Sequence, residues 1–139
     1  MYAKELMTKD VAWVMPQTTL RDAASKMKSF NVGALPVCDG QKLVGMVTDR
    51  DIVLRSTAAG QNPNSAVVSE TMSPEVKFCL ESEDVSKVTK RMEKNKIRRL
   101  PVIDSNKNLV GIISLGDLTI RGEENVACEV MREVSTPEE

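Results

Sequence analysis

Two hydroxyl residues each stand three positions before an aspartate, and these pairs have the side chains best suited to chemistry in this sequence. They are Thr48 with Asp51 and Ser114 with Asp117. Each pair follows an apolar run and is predicted to begin a helix. A hydroxyl there can donate to a phosphate oxygen, and a carboxylate one turn later can accept from two vicinal hydroxyls, as on a ribose. We also expect unpaired backbone N–H groups at these helix starts, which favour anions. The combination suits a nucleotide.

The same pattern also serves as a helix cap. A Ser or Thr followed three residues later by an acidic residue satisfies the first N–H groups of a helix without any ligand. Taken singly, each pair is more typical of a cap than of a binding site. The pairs recur at matched positions after matched hairpins, and capping alone does not require Asp twice. The repetition therefore favours a site.

The elements that position these pairs belong to an internal repeat. The segment from Leu35 to Asp51 returns as Leu100 to Asp117, shifted by about sixty-five residues. In each copy, two short apolar runs are joined by Asp, Asn or Gly residues, which predicts a β-hairpin. Before each hairpin we predict a short strand, Val11 to Met15 in the first copy and Val76 to Cys79 in the second. A helix with one apolar face lies between that strand and the hairpin. Each repeat is therefore predicted to run strand, helix, strand, strand, helix.

The repeat also suggests the domain boundaries. We predict a first repeat with a lead-in helix over residues 1–60 and a linker over 61–66, where the sequence is polar and contains a proline. A second repeat follows over 67–122, and residues 123–139 form a C-terminal helix and a tail. Two copies favour a pseudo-symmetric pair over a solenoid, which needs at least about three repeats.

Composition narrows the classes of function. Hydrophobic residues make up 41% and charged residues 28% of the chain, as in ordinary globular proteins. The net charge of −1 and the presence of one Trp, one Tyr and two Phe argue against nucleic-acid binding. A basic run from Lys87 to Arg99 is more typical of a solvated helix face. No apolar run approaches the roughly 18 residues of a membrane span, and the N-terminus lacks the apolar core of a signal peptide. We expect a cytoplasmic chain without membrane contact.

Metal and nucleophilic chemistry are also disfavoured. The sequence has no histidine, and its cysteines, Cys38, Cys79 and Cys128, are far apart. A zinc site or a Cys-His dyad is therefore not expected. Cys38 and Cys79 fall in predicted strands and are expected to be buried thiols. The sequence also has no phosphate-binding Gly-x-x-x-x-Gly-Lys loop. From these observations together, we expect no enzyme, no metal site and no required cofactor.

Two stretches give the chain a family resemblance. "Val-Gly-Ala-Leu-Pro-Val" at 32–37 and "Ile-Arg-Arg-Leu-Pro-Val" at 97–102 are each followed by "Leu-Val-Gly", two aliphatic residues and Thr/Ser-x-x-Asp. Over residues 5 to 120 the sequence resembles a free-standing pair of CBS domains, named from cystathionine β-synthase. The resemblance implies an α/β (α+β) fold of tandem pseudo-twofold repeats, each β-α-β-β-α. It also implies two ligand clefts between the repeats, dimerisation, and adenine nucleotides or S-adenosylmethionine as ligands.

The resemblance implies that each cleft takes residues from both repeats. The residues of the first cleft would be Thr48, Arg50, Asp51, Ile97, Arg98 and Arg99. Those of the second cleft would be Val32, Gly33, Ala34, Ser114 and Asp117. The arginines make the first cleft the better candidate for a phosphate. Because side chains alternate along a strand, we expect only one of Arg98 and Arg99 to face the ligand.

The sequence therefore predicts a regulatory, non-catalytic module that senses an adenine nucleotide (AMP, ADP or ATP) and acts on a separate effector protein as a homodimer. Two alternatives stay open. One is a constitutive dimeric scaffold in which the clefts are vestigial and the hydroxyl–aspartate pairs only cap helices. The other is a binder of a different adenosyl ligand, such as S-adenosylmethionine.

Overall fold

A computed structural model describes the backbone of residues 1–121 and 124–136, and the side chains of residues 1–118 and 128–136. The chain divides into two compact units. The first-hairpin unit is Ala12–Val76, and the second-hairpin unit is Met1–Val11 with Lys77–Glu139. The predicted boundary at 122/123 and the end of the tail at 137–139 lie outside the described residues.

The first-hairpin unit contains helix α2, a two-stranded antiparallel sheet, and a helical segment directly after it. Their bounds are α2 Leu20–Phe30, β1 Ala34–Asp39, β2 Lys42–Thr48, α3 Asp49–Asp51, a π-helical continuation Ile52–Thr57, and a 3-10 turn Val68–Glu70. Thr19 caps the start of α2, where its hydroxyl accepts from the Asp22 N–H at 3.2 Å.

The second-hairpin unit repeats this order and adds helices at both ends. Its elements are α1 Ala3–Leu6, β3 Cys79–Leu80, α4 Val85–Asn95, β4 Arg99–Ile103, β5 Leu109–Ser114, α5 Leu115–Arg121 and α6 Glu124–Ser135. Strand β3 pairs parallel with β4, and β4 pairs antiparallel with β5. The predicted C-terminal helix is thus present as α6.

The hairpins match closely. Each contains an irregularity in register at the same point, between Val37 and Cys38 in β1 and between Val102 and Ile103 in β4. Each is also preceded by a helix whose C-terminal cap, Asn31 or Lys96, has the left-handed helical backbone conformation. The mixed helix and strand content of the two repeats is that of the predicted α+β fold.

Some local predictions differ from the structure. The predicted strand at Val11 to Met15 is reduced to a single parallel bridge between Val14 and Val37. The bonds of this bridge are Val14 N–H to the Pro36 carbonyl and Cys38 N–H to the Val14 carbonyl, at 3.0 and 2.9 Å, so the bridge does not need the N–H that Pro36 lacks. Phe30, the last residue of α2, is 57% exposed.

Each unit has its own apolar core. In the first-hairpin unit, α2 packs on the sheet, with the core residues Val14, Leu20, Ala23, Met27, Leu35, Val37, Val47, Ala66 and Val68. The core of the second-hairpin unit also includes Ala3, Leu6 and Met7 from the lead-in segment, residues 1–11. Residues 1–11, predicted as part of the first repeat, therefore pack with the hairpin of the second.

Glycine makes this packing possible at two matched positions. An added Cβ on Gly45 would lie 2.9 Å from the carbonyl oxygen of Ser73, and one on Gly111 would lie 2.9 Å from that of Thr8. In each unit a short Met-Thr or Met-Ser segment therefore runs directly over the second strand of the hairpin. A larger residue at either glycine would push this segment away from the strand.

Candidate functional site

Both hydroxyl–aspartate pairs lie at the junction between a hairpin and the helix that follows it. In the first-hairpin unit the Thr48 N–H donates to Asp51 Oδ2 at 3.0 Å, and the Asp51 N–H donates to Thr48 Oγ1 at 3.0 Å. This is a reciprocal capping box, so the capping interpretation is correct as a description of the local bonding. It does not exclude a ligand, because the Thr48 hydroxyl proton finds no acceptor among the residues that the structure describes.

Asp51 keeps most of its acceptor capacity. A carboxylate offers about four acceptor positions, and the described hydrogen bonds to Asp51 use one, at Oδ2. Its other oxygen, Oδ1, lies 3.9 Å from Nη2 of Arg55, at the limit of an ion pair. That arginine also donates from Nη1 to the Thr71 carbonyl at 3.0 Å. The Asp51 side chain is 16% exposed.

The equivalent pair in the second-hairpin unit is more fully bonded. Asp117 Oδ2 accepts from the Ser114 N–H at 2.8 Å and from the Ser114 hydroxyl at 3.1 Å. Asp117 Oδ1 accepts from the Thr8 hydroxyl at 2.9 Å. Three acceptor positions are thus filled, and the Ser114 proton is committed to the carboxylate. Taken over the whole residue, Asp117 is buried, at 9% exposure, whereas Asp51 is partly buried.

The expected unpaired N–H groups are absent at the first helix start. The Asp49 N–H donates to the Gly33 carbonyl at 2.9 Å, the Arg50 N–H to the Asp49 carboxylate at 2.8 Å, and the Asp51 N–H to Thr48. The prediction of free backbone donors is therefore wrong here, because neighbouring oxygens satisfy them. A phosphate at this site would have to be met by side chains.

The segments before each hairpin lie beside the helix start of their own unit. Ala34 pairs with Thr48, and an added Cβ on Gly33 would lie 3.0 Å from Asp49 Oδ2. Val32 and Gly33 are partly buried.

In the second-hairpin unit the corresponding segment is Ile97 to Arg99. Arg99 pairs with Ser114, and the Arg98 carbonyl accepts from the Leu115 N–H at 3.2 Å. Both arginine side chains are exposed, whereas Ile97 packs partly against the core of the unit. Among the residues described, neither guanidinium makes an ion pair. The backbone of both arginines therefore adjoins the Ser114 pair, although the family resemblance assigns them to the first cleft. That assignment stays a prediction.

Sequence reasoning missed Thr8 and Arg55, which contact the two aspartates. Thr8 is 109 residues from Asp117, and only the match between Met7-Thr8 and Met72-Ser73 in the repeat hinted at a shared role. Arg55 follows Asp51 by four residues, the spacing of a helical ion pair, and could have been found from that spacing.

The cysteines carry no site. Cys38 and Cys79 are buried, as predicted, and Cys128 is exposed. Burial raises the pKa of Cys38 to about 11 and, with help from Glu83, that of Cys79 to about 12. Both are therefore protonated and unreactive at neutral pH. Within the described residues, no cluster of three potential metal-ligating side chains occurs.

Two grooves lie away from these pairs. One, of about 530 Å³, runs between α4 and α6 and carries charges of both signs. The other, of about 330 Å³, lies beside Trp13 and Lys26. Neither is lined by a residue of the predicted clefts. In the part of the chain that is described, no helix is long and apolar enough to cross a membrane.

Comparison with known proteins identifies the class. The family model described as "CBS domain" matches twice, at residues 3–57 and 68–122. The chain therefore belongs to the CBS domain family and carries a tandem pair of repeats.

Individual relatives agree with this assignment. The chain is 46% identical over 122 residues to the CBS domain-containing protein YhcV of Bacillus subtilis, covering 88% of this chain and 86% of YhcV. It is similar to the crystal structure of CBSX2 in complex with AMP, with a TM-score of 0.74, 28% identity, and coverage of 85% and 93%. It is also similar to the CBS domain pair of MJ0100 in complex with 5-methylthioadenosine and S-adenosyl-L-methionine, with a TM-score of 0.72, 29% identity, and coverage of 86% and 93%.

Proposed function

We propose that this chain is a non-catalytic regulatory module that binds an adenosine-containing ligand, with Thr48 and Asp51 as the principal contacts. The observation that carries the proposal is the unused bonding capacity of this pair. Asp51 has a partly exposed side chain whose carboxylate accepts one hydrogen bond, and Thr48 has a hydroxyl proton to donate. The carboxylate suits the vicinal hydroxyls of a ribose, and the hydroxyl suits a phosphate oxygen.

The ligand class is supported by the relatives. CBSX2 is described in complex with AMP, and the MJ0100 pair in complex with two adenosyl compounds. These ligands share an adenosine and differ in charge at the 5′ position. A site built on recognition of the ribose fits all of them, so the group at the 5′ position decides among them. An adenine nucleotide is our first candidate.

Arginine decides whether the 5′ group is a phosphate. Arg50 adjoins Asp51 in the sequence, and we assign Arg98 and Arg99 to the same cleft from the family resemblance. All three are exposed, and none of them is ion-paired within the described residues. A guanidinium binds a phosphate with two parallel hydrogen bonds, whereas it gains nothing from an uncharged sulfur substituent. We infer that these arginines favour AMP over uncharged adenosine.

A thermal-shift series tests the ligand and the arginines together. Unfolding temperature is measured with AMP, adenosine and S-adenosylmethionine for the wild type and the Arg50→Ala, Arg98→Ala and Arg99→Ala variants. At a hundredfold excess over Kd, a ligand that binds only the native state stabilises it by about 2.7 kcal/mol. We expect AMP to stabilise the wild type. At least one of the three arginine variants should lose stabilisation by AMP while its response to adenosine is unchanged.

The same series separates the sensor from the scaffold. A constitutive scaffold with capping pairs alone would show no ligand-dependent shift for any compound. Larger stabilisation by S-adenosylmethionine than by AMP would instead favour the alternative adenosyl ligand. The homodimer and the separate effector protein are part of the proposal, and sedimentation with and without AMP tests the first of them.

A further inference from the structure

The two aspartates differ because a third segment reaches only one of them. The Thr8 hydroxyl donates to Asp117 Oδ1 at 2.9 Å. With the two bonds from Ser114, this leaves Asp117 about one acceptor position. A ribose presents two vicinal hydroxyls and needs two positions, so Asp117 can accept both only if Thr8 or the Ser114 hydroxyl gives up its bond.

Thr8 is held firmly where it makes this bond. Its N–H donates to the Ile112 carbonyl at 2.8 Å, and its carbonyl accepts from the Ile112 N–H at 3.0 Å. The preceding residue, Met7, is 7% exposed and belongs to the core of the unit. Gly111 allows this close approach of the two backbones. The backbone of Thr8 is therefore fixed by its pairing with Ile112, and this places the hydroxyl within reach of Asp117.

The matched segment in the other unit does not repeat the contact. Ser73 stands sixty-five positions after Thr8 and pairs in the same way with Met46, at 3.2 and 2.9 Å. Its hydroxyl makes no hydrogen bond to Asp51 among the described contacts. The same backbone geometry thus occurs twice, and the side-chain bond to the aspartate occurs once.

We propose that Thr8 is a specificity-determining residue that restricts ligand binding at the Asp117 site. It occupies the carboxylate oxygen that a ribose would need, so the two sites of the chain are unequal and the Asp51 site binds adenosine ligands first. The inference rests on the proposed function, because it concerns the same ligand class. It adds which residue makes the two sites differ.

The test uses the full chain with AMP as the probe, in an Asp51→Asn background that removes the stronger site. Calorimetric titration compares this variant with Asp51→Asn/Thr8→Val and Asp51→Asn/Thr8→Ser. Valine keeps the branched shape of threonine without its hydroxyl, and serine keeps the hydroxyl. We expect valine to strengthen AMP binding at the remaining site by roughly fivefold or more, as for release of a hydrogen bond to a charged group. Serine should leave it unchanged.

Three results would overturn the inference. Unchanged or weaker binding in the valine variant, with wild-type protein still binding AMP, would show that Thr8 does not restrict the site, and would leave the proposed function intact. Equal strengthening by serine and valine would assign the effect to packing. No AMP binding by the wild type or any variant would overturn the proposed function together with this inference. Circular dichroism and thermal melting of each variant establish that it is folded.

Discussion

At the scale of single residues, the two hydroxyl–aspartate pairs have the same spacing and different bonding. The sequence predicted that both would lie at helix starts and that both could cap, and the structure confirms this local role. It could not predict the difference between them, since the donor from Thr8 comes from a segment distant in the chain. Protein donors fill most acceptor positions of the Asp117 carboxylate, whereas most of those of the Asp51 carboxylate are unfilled.

This difference predicts unequal costs of mutation. Asp117→Ala removes the acceptor of three partly buried hydrogen bonds, so we expect a loss of about 3 kcal/mol in the free energy of unfolding. Asp51→Ala removes one side of a capping box and should cost about 1 kcal/mol. Urea unfolding measures both. Equal losses would contradict the bonding described here.

At the scale of elements, the turn between β3 and α4 is stabilised by one ion pair. Arg91 Nη2 and Nη1 lie 2.8 and 3.1 Å from the two carboxylate oxygens of Glu83, which also accepts from the Leu80 N–H. The hydrogen bond from Arg91 lowers the pKa of Glu83 below its usual range. Arg91 also donates to the Phe78 carbonyl, so this pair ties the strand to the helix.

Stability should therefore depend on pH through Glu83. A lowered pKa means that the folded state favours the ionised form, so the contribution is present above the unfolded-state pKa, near 4.5, and is lost as pH falls through the folded-state value. Glu83→Gln should lose about 1 kcal/mol at pH 7, discounted for partial exposure, and less below pH 4. Urea unfolding from pH 3 to 7 measures this, with the exposed Glu75→Gln as control. A deficit that is constant with pH would contradict the assignment.

The glycine in β5 sets how closely the lead-in can approach. In Gly111→Ala the new Cβ would lie 2.6 Å from the sulfur of Met7 and 2.9 Å from the Thr8 carbonyl oxygen. The sulfur can move and the carbonyl can move only with its backbone, so we expect a loss of about 1–3 kcal/mol in the free energy of unfolding. Gly116→Ala, where the nearest atom is 3.4 Å away, is the control and should not destabilise. Equal stability of Gly111→Ala and wild type would show that the lead-in packs less closely.

At the scale of the whole molecule, the repeat predicted the two hairpins, their preceding helices and the family, because short-range patterns specify them. It did not predict the grouping of residues 1–11 with the second hairpin. The apolar residues of the lead-in only show that it is buried, and either hairpin could accept it by sequence alone. In the same way, the sequence alone does not decide which of the two hydroxyl–aspartate pairs Arg98 and Arg99 serve.

This grouping predicts a selective effect of truncation. Removing residues 1–8 deletes Ala3, Leu6 and Met7 from the core of the second-hairpin unit. Burial of a Leu or Met side chain contributes roughly 1.5–3 kcal/mol each, so we expect amide protection to fall in β4, β5 and α5. Protection in β1 and β2 should persist. Hydrogen exchange with mass spectrometry measures both, and a larger loss in β1 and β2 would contradict the division into units.

The central claim is that Asp51 binds an adenosine ligand, and calorimetric titration of AMP tests it most directly. We expect saturable heat with the wild type, and loss of at least about tenfold in affinity in Asp51→Asn, as for removal of a charged hydrogen-bond acceptor. Asp117→Asn should change this affinity much less, because that carboxylate is already occupied. Unchanged AMP affinity in Asp51→Asn, or no heat from the wild type at millimolar AMP, would contradict the account.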